Sequence, residues 1–287
     1  MRIPFLLLPP ACVLLGIGTA LGERVRLNPL YVILALVGAV AAHISVNALN
    51  EYVDCLSGLD ARTQRTPFSG GSGVLPEQPE MAHIALFTGL AALAITMAIG
   101  LYFAIQRGPG ILLLGIAGIL VIVTYTPLIT RQPLLCLIAP GLGFGTLMVL
   151  GTHFVLTGHY SWTALVASLV PFFLVNNLLL LNQFPDADAD LSVGRRHLLI
   201  VLGARGSSVV YGAFLILTYV VIIAGVCAGL LPPMSLLGLA TLFLAIPTIM
   251  GVYRNAQDIP KLLPYQGFNV ILNLLTPVLV AAGFFFK

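Results

Sequence analysis

Long apolar stretches, broken by short polar or Gly/Pro-containing segments, dominate this chain. Nine of them read as helices, at residues 3–22, 29–49, 81–106, 110–128, 134–157, 161–183, 207–230, 233–253 and 266–286. Barrel strands would alternate apolar and polar positions, and runs such as Ile111 to Tyr125 show no such alternation. Crossing a bilayer core of about 30 Å takes roughly 20 residues as a helix, so a chain of 287 residues has room for at most about nine or ten spans. The expected fold class is all-α, a polytopic membrane bundle of about nine transmembrane helices forming one domain over residues 1–287. The first stretch follows Arg2 directly, with no small-residue cleavage pattern ahead of a soluble domain, and reads as a retained span.

Composition agrees. The chain is 59% hydrophobic and 8% charged, with a mean hydropathy of +1.05. Soluble domains carry about a quarter charged residues, so soluble enzyme folds are excluded and the lipid bilayer is the expected surrounding. A net charge of +3, dispersed along the chain, gives no basic patch for nucleic acid. Cys12, Cys55, Cys136 and Cys227 form no CxxC pair and have no histidine at ligand spacing, so they read as isolated membrane thiols.

Two connecting segments are long, 50–80 and 184–206, and an even number of spans separates them, which puts them on one side of the membrane. That side carries Arg2, Arg62, Arg65, Arg131, Arg195, Arg196, Arg205, Arg254 and Lys261, against Arg24, Arg26, Arg107 and Lys287 on the other. The excess predicts that the long segments face the cytoplasm of an inner or plasma membrane, with the N-terminus inside and the C-terminus outside.

Acidic residues concentrate in the same segments. Glu51, Asp54, Asp60, Glu77 and Glu80 fall in the first and Asp186, Asp188 and Asp190 in the second, leaving only Glu23 and Asp258 elsewhere. Carboxylates gathered at the mouth of an apolar bundle repel one another and lose hydration, so they require cations. At about 100° per residue, Asn47, Asn50 and Asp54 share one stripe at the end of the second helix, and Asn182, Asp186 and Asp190 share another at the end of the sixth. Asp188 points about 160° away from its neighbours and reads as a solvated carboxylate. Facing stripes of oxygen donors suit Mg²⁺, which binds one or two carboxylates and completes its shell with substrate phosphates. Arg62, Arg65, Arg195 and Arg196 lie in the same segments and fit phosphate oxygens. Together these features call for a lipid diphosphate with its hydrocarbon in the bundle. Asn47, Asn176 and Asn177 read as helix–helix hydrogen bonders, and His43, His83, His153 and His159 as structural.

The segment from Asn50 through Asp54 and Gly58 to Asp60 (NEYVDCLSGLD) and that from Asn182 through Asp186 and Asp190 to Arg196 (NQFPDADADLSVGRR) resemble the two aspartate-rich motifs of the UbiA superfamily of intramembrane prenyltransferases. Thr66 to Leu75 (TPFSGGSGVL) and the Asn182–Asp186 run are similar to the branch that prenylates 1,4-dihydroxy-2-naphthoate on the way to menaquinone, another quinone pathway being the neighbouring possibility. The chain departs from the family at Gly194-Arg195-Arg196-His197, commonly Gly-Lys-Arg-Thr, and at Gln132-Pro133, where the branch often has Gly-Glu. The resemblance implies an enzyme that transfers a polyprenyl group from a prenyl diphosphate to an aromatic acceptor. It implies Mg²⁺ held by Asn50, Asp54, Asp60, Asp186 and Asp190, and diphosphate contacts from Arg62, Arg65, Arg131, Arg195 and Arg196. It further implies cation–π support of an allylic cation by Tyr125 and acceptor contact by Asn182, so that Asp54, Asp186, Asp190 and Tyr125 are the catalytic candidates. The Ser69–Gly73 stretch reads equally as a lid or as a linker turn. Four rivals remain open: a terpene cyclase of the same fold, transfer to a 4-hydroxybenzoate-like acceptor, a catalytically silent scaffold that would tolerate Asp54→Ala and Asp186→Ala, and a transporter. The last is disfavoured because 81–106 and 207–230 carry no charge at mid-bilayer apart from His83 at an edge.

Overall fold

The computed structural model describes residues 3–59, 62–63, 65–71 and 73–286, so Arg2, Asp60 and Lys287 lie outside the described residues. Among the described residues nine long helices follow in chain order: α1 (Phe5–Gly22), α2 (Pro29–Ser57), α3 (Pro79–Arg107), α4 (Gly110–Thr124), α5 (Pro133–Thr157), α6 (Trp162–Asn182), α7 (Leu198–Cys227), α8 (Pro233–Asn255) and α9 (Ile259–Phe285). All but α4 are long and apolar enough to cross a membrane. Helix α4, at about 1.5 Å per residue, falls short of a 30 Å core and continues into turns at the mouth of the bundle. Among the described residues there is no strand.

Local chemistry sets the helix ends. Asn28 caps α2, its side-chain oxygen accepting from the Leu30 N–H at 3.0 Å, and Gly58 closes the helix in the left-handed region at φ 70°. Helix α2 therefore extends past the expected end at residue 49, because the polar Asn50–Asp54 turn keeps helical backbone right up to that glycine. Helix α7 begins nine residues earlier than the apolar pattern indicates, at Leu198, and bends at Gly203 (φ 69°, ψ 174°). Helix α9 begins at Ile259, with Asp258 as its N-cap, so the expected loop before residue 266 is helical. Pro260 is tolerated because it falls in the first turn, where the donor has no partner anyway, whereas Pro264 lies inside the helix and removes one intrahelical bond. In α5, Pro140 removes a backbone donor and the next turn, Leu142–Leu147, widens to π geometry.

Helix α6 is the most enclosed, with Leu174 to Leu178 all buried. Close crossings depend on small residues: a Cβ on Gly145 of α5 would sit 2.4 Å from the Phe172 nitrogen of α6. Polar side chains bind helices together in the interior. Asn177 donates to the Tyr211 carbonyl at 2.8 Å, the Tyr211 hydroxyl donates to Asn269 at 3.0 Å, and Gln266 donates to the Leu181 carbonyl at 3.0 Å. Asn176 accepts from the Gly141 N–H. Asn47, expected to bridge helices, instead donates to the His43 carbonyl one turn earlier in its own helix. Helices α2 and α3 pair at the flank and turn large apolar side chains such as Phe87 and Ile105 outward, where lipid tails cover them.

Candidate active site

Helices α2, α3, α4, α5 and α6 enclose a cavity of about 610 Å³. It is lined along α2 from Asp54 to Leu34, which at about 1.5 Å per residue is roughly the thickness of a bilayer core. Below the mouth the lining is largely apolar, including Ile99, Phe103, Ile119, Ile122, Leu147 and Val155, with His43, Thr96 and Thr152 as polar exceptions. Three of its glycines, Gly100, Gly115 and Gly143, have nothing within 4 Å of where a Cβ would stand. Their missing side chains widen the channel.

The polar mouth is built from the ends of α2 and α6 and the segment that follows α6. A short helix, Ala187–Ser192, carries Asp190 inward while Asp188 is exposed. Asp54 and Asp190 are buried, at 8% and 4% exposure, and both bond the same guanidinium. One Arg195 nitrogen donates to Asp190 Oδ1 at 2.9 Å and the other to Asp54 Oδ1. The two acid-bearing segments, over a hundred residues apart in sequence, therefore converge on a single shared cation. Burial opposes the charge on Arg195, but the two carboxylates outweigh it and hold the guanidinium pKa above its ordinary value. The second Asp190 oxygen lies 3.1 Å from His197 Nε2, and His197 is itself buried on the cavity wall. The Arg196 backbone N–H donates to the Thr130 carbonyl at 3.0 Å, which fixes the strand of chain that turns Arg195 inward.

Asn50, Asp186, Asn182 and Tyr125 also line the cavity. The Asn50 amide donates to Thr126 Oγ1 at 3.0 Å, tying α2 to the turn after α4. Asp54, Asp186, Asp190 and Asn50 make a set of oxygen donors on the wall of this mouth; among the described residues their carboxylates do not draw together within 4.8 Å of one another, Asp54 and Asp190 being spaced by the guanidinium they share. Asp60, expected in that set, lies outside the described residues.

The arginines divide. Of the five expected at the diphosphate, Arg195 alone lines the cavity. Arg62 is exposed and donates to Ser192 Oγ at 3.0 Å, linking the first segment to the second. Arg65 is held by the Gly73 carbonyl at 2.9 Å and pairs with Glu77 at 3.3 Å. Arg131 and Arg196 are exposed and stand off the cavity wall. Sequence spacing does not separate these five, because the direction of each side chain depends on loop backbone that has no period to read.

The glycine-rich stretch meets the cavity through Phe68, Ser69, Gly70 and Gly71. Thr66 Oγ1 accepts from the Phe68 and Ser69 N–H groups at 3.1 and 2.9 Å. Gly70 and Gly71 then follow at φ 81° and 66°, a conformation that side chains resist. Two cavity residues fell outside the expected site. His197 sits beside the basic pair that breaks the family pattern, which is the one signal that could have found it. Phe144 is aimed by the π turn of α5 and stacks edge-on against His43 at 5.0 Å, and no sequence signal marks it.

Comparisons with known proteins agree with this geometry. The UbiA prenyltransferase family pattern matches residues 8–286. The chain is 25% identical over 246 residues to a 1,4-dihydroxy-2-naphthoate octaprenyltransferase from Bacillus subtilis (strain 168), covering 83% of this chain and 76% of that protein. In three dimensions it is similar to a UbiA homolog from Aeropyrum pernix K1 solved in its apo form, at 20% identity and a TM-score of 0.75, covering 100% of this chain and 98% of that one. It is also similar to a UbiA homolog from Archaeoglobus fulgidus bound to DMAPP and Mg²⁺, at 14% identity and a TM-score of 0.54, covering 98% and 99% of the two chains. The family match spans almost the whole sequence, and the chain belongs to the UbiA prenyltransferase family as an integral membrane prenyltransferase.

Proposed function

We propose that this protein catalyses Mg²⁺-dependent transfer of a polyprenyl group from an allylic prenyl diphosphate to an aromatic acceptor of the 1,4-dihydroxy-2-naphthoate type. The observation that carries the reading is the meeting of Asp54 and Asp190 on Arg195 at the mouth of a deep apolar cavity. An acid-rich rim alone would suit an ion pathway, and an apolar cavity alone would suit any lipid. Their junction suits a molecule with a diphosphate head and a hydrocarbon tail.

Asn50, Asp54, Asp186 and Asp190 would hold Mg²⁺, and their oxygen-only donor set fits the preference of that ion. Bound there, Mg²⁺ neutralises the diphosphate and makes it a better leaving group. Arg195 keeps the two carboxylates from repelling each other and offers N–H donors to phosphate oxygens. His197 holds Asp190 in place. As the allylic C–O bond breaks, the diphosphate departs with the electron pair, and the prenyl cation is left among apolar and aromatic walls that exclude water. Tyr125 and Phe144 face that cavity and supply ring faces to a cation. An electron-rich ring carbon of the acceptor, contacted by Asn182, then forms the new C–C bond and the ring loses carbon dioxide or a proton. Arg62, Arg65, Arg131 and Arg196 stand off the cavity wall and act on the diphosphate only at a distance, as positive charge that draws anionic substrate toward the rim. The excess of basic residues on the mouth side supports a cytoplasmic opening.

The test is incubation of purified protein with Mg²⁺ and labelled prenyl diphosphate, supplied with 1,4-dihydroxy-2-naphthoate, with 4-hydroxybenzoate, or with neither. A prenylated naphthol that forms only with the first acceptor and vanishes on chelation is the expected result. A cyclised hydrocarbon or alcohol formed without acceptor would identify a cyclase instead, and product from 4-hydroxybenzoate alone would overturn the acceptor assignment.

A further inference from the structure

At the end of the bundle opposite the acid-rich mouth, a second cluster of ionisable groups has no part in the chemistry above. Glu23 follows directly on α1, His153 lies in the last turns of α5, and His159 lies in the connection to α6. Glu23 Oε2 is 2.8 Å from His159 Nε2, Glu23 Oε1 is 3.5 Å from His153 Nε2, and one ligand atom from each residue falls within 4.8 Å of the other two.

The approach is built into the backbone. Gly16 of α1 packs so tightly on α5 that a Cβ there would stand 2.6 Å from the Thr152 Cβ, which brings the end of α1 against His153. Gly158, at φ 91°, ends α5 and folds the chain back, so that the His159 ring stands edge-on to the His153 ring at 5.8 Å. Among the described residues no arginine or lysine pairs with Glu23. Arg107, the basic side chain bonded to this end of α5, is committed to the Val155 and Leu156 carbonyls at 2.8 and 2.9 Å.

Hydrogen bonding orients the buried histidine. The Thr19 hydroxyl donates to the Gly16 carbonyl at 2.8 Å, so its oxygen is left to accept from His153 Nδ1–H at 2.9 Å. That fixes the tautomer. The lone pair of His153 then sits on Nε2, in a side chain with no solvent exposure, with no hydrogen-bond partner and aimed at the Glu23 carboxylate. His153 Nε2 and the partly exposed Glu23 carboxylate are two acceptors facing each other, an arrangement that a cation between them relieves. A metal-bound histidine commonly has its other ring nitrogen anchored in this manner. Glu23 also lies at the C-terminal end of α1, where the helix dipole disfavours an uncompensated carboxylate.

We propose that Glu23, His153 and His159 form a binding site for a divalent transition-metal ion of the Zn²⁺ class, on the membrane face opposite the diphosphate mouth. Two imidazoles and one carboxylate are a nitrogen-rich set that disfavours Mg²⁺ and Ca²⁺ and suits Zn²⁺ or Co²⁺, with solvent in the remaining position. A tetrahedral Zn²⁺ site spaces its ligand atoms about 3.3 Å apart, close to the separations above. His159 is 58% exposed and Glu23 28% exposed, so the ion has a path from solvent. Bound there, it clasps α1 to α5 at the far end of the substrate cavity.

The experiment uses the full-length protein in detergent, stripped with chelator and desalted, with millimolar Mg²⁺ present to fill the oxygen-donor mouth. Co²⁺ is titrated and followed by its visible d–d bands, and Zn²⁺ is then added in competition. The expected result is one Co²⁺ per chain, displaced by Zn²⁺, with affinity falling at least about tenfold in Glu23→Gln and in His159→Ala. Both substitutions are at partly exposed positions that leave the packing intact, whereas His153→Ala opens a buried gap and is judged only if its thermal melt matches the parent. Asp54→Asn, at the other site, leaves the Co²⁺ spectrum unchanged. Absence of a Co²⁺ spectrum in the parent, or an undiminished one in the Glu23→Gln/His159→Ala double variant, would overturn the proposal and leave a proton-sharing cluster in its place.

Discussion

Arg195 is the residue on which the mouth depends. It joins Asp54 to Asp190, and its removal takes away the one guanidinium that these two buried carboxylates share. We expect Arg195→Ala to lower kcat/KM by about 10²–10³-fold, the range found when one donor to a developing anion is lost, with Arg195→Lys recovering part of it through charge but not through the two-pronged geometry. Steady-state kinetics at saturating Mg²⁺ measure both. His197→Ala removes a single bond to Asp190, worth about 1–3 kcal/mol if Asp190 is left short of a partner, and its predicted signature is a raised Mg²⁺ requirement rather than lost prenyl diphosphate affinity. Asp188→Asn serves as the control, since that carboxylate is exposed and should leave kcat/KM unchanged. The register of the two acid stripes was readable because a helix has a fixed period. Which of five arginines enters the cavity was not, because those residues sit in irregular backbone.

Among the elements, the helices facing the cavity decide how long a hydrocarbon fits. Gly115 of α4 and Gly100 of α3 leave open space where side chains would otherwise stand. Gly115→Phe should therefore cap the channel partway and shift preference toward shorter prenyl diphosphates, read as a changed ratio of kcat/KM across a substrate length series, with little change in the melting temperature. Gly203 is the opposite case. Its φ of 69° with ψ of 174° is reserved for glycine, so Gly203→Ala strains the bend at the start of α7 and should destabilise the fold by about 1–3 kcal/mol in a denaturation assay. The sequence offered no sign of that bend, because the apolar pattern places Gly203 in the connecting segment 184–206 rather than within a helix.

For the molecule as a whole, the packing makes a bundle whose cavity has one acid-rich end and a largely apolar depth. With Cys55 and Cys227 changed to serine, a cysteine placed at exposed Arg196 should react with a membrane-impermeant maleimide only from the cytoplasmic side of sealed vesicles, and labelling from outside would invert the orientation that the basic residues indicate.

The sequence by itself determined that the chain is a membrane bundle of about nine helices, that its acids gather at one face, and that they fall on helical stripes, because hydrophobicity and period are properties of residues along one dimension. The pairing of Asp54 with Asp190 through Arg195, the depth of the cavity and the meeting of Glu23 with His153 and His159 were decided only by the tertiary structure. Each joins groups from helices remote in sequence. Their distances are fixed by how small residues such as Gly16 and Gly145 let those helices approach, and no local pattern encodes which helix a given glycine will meet.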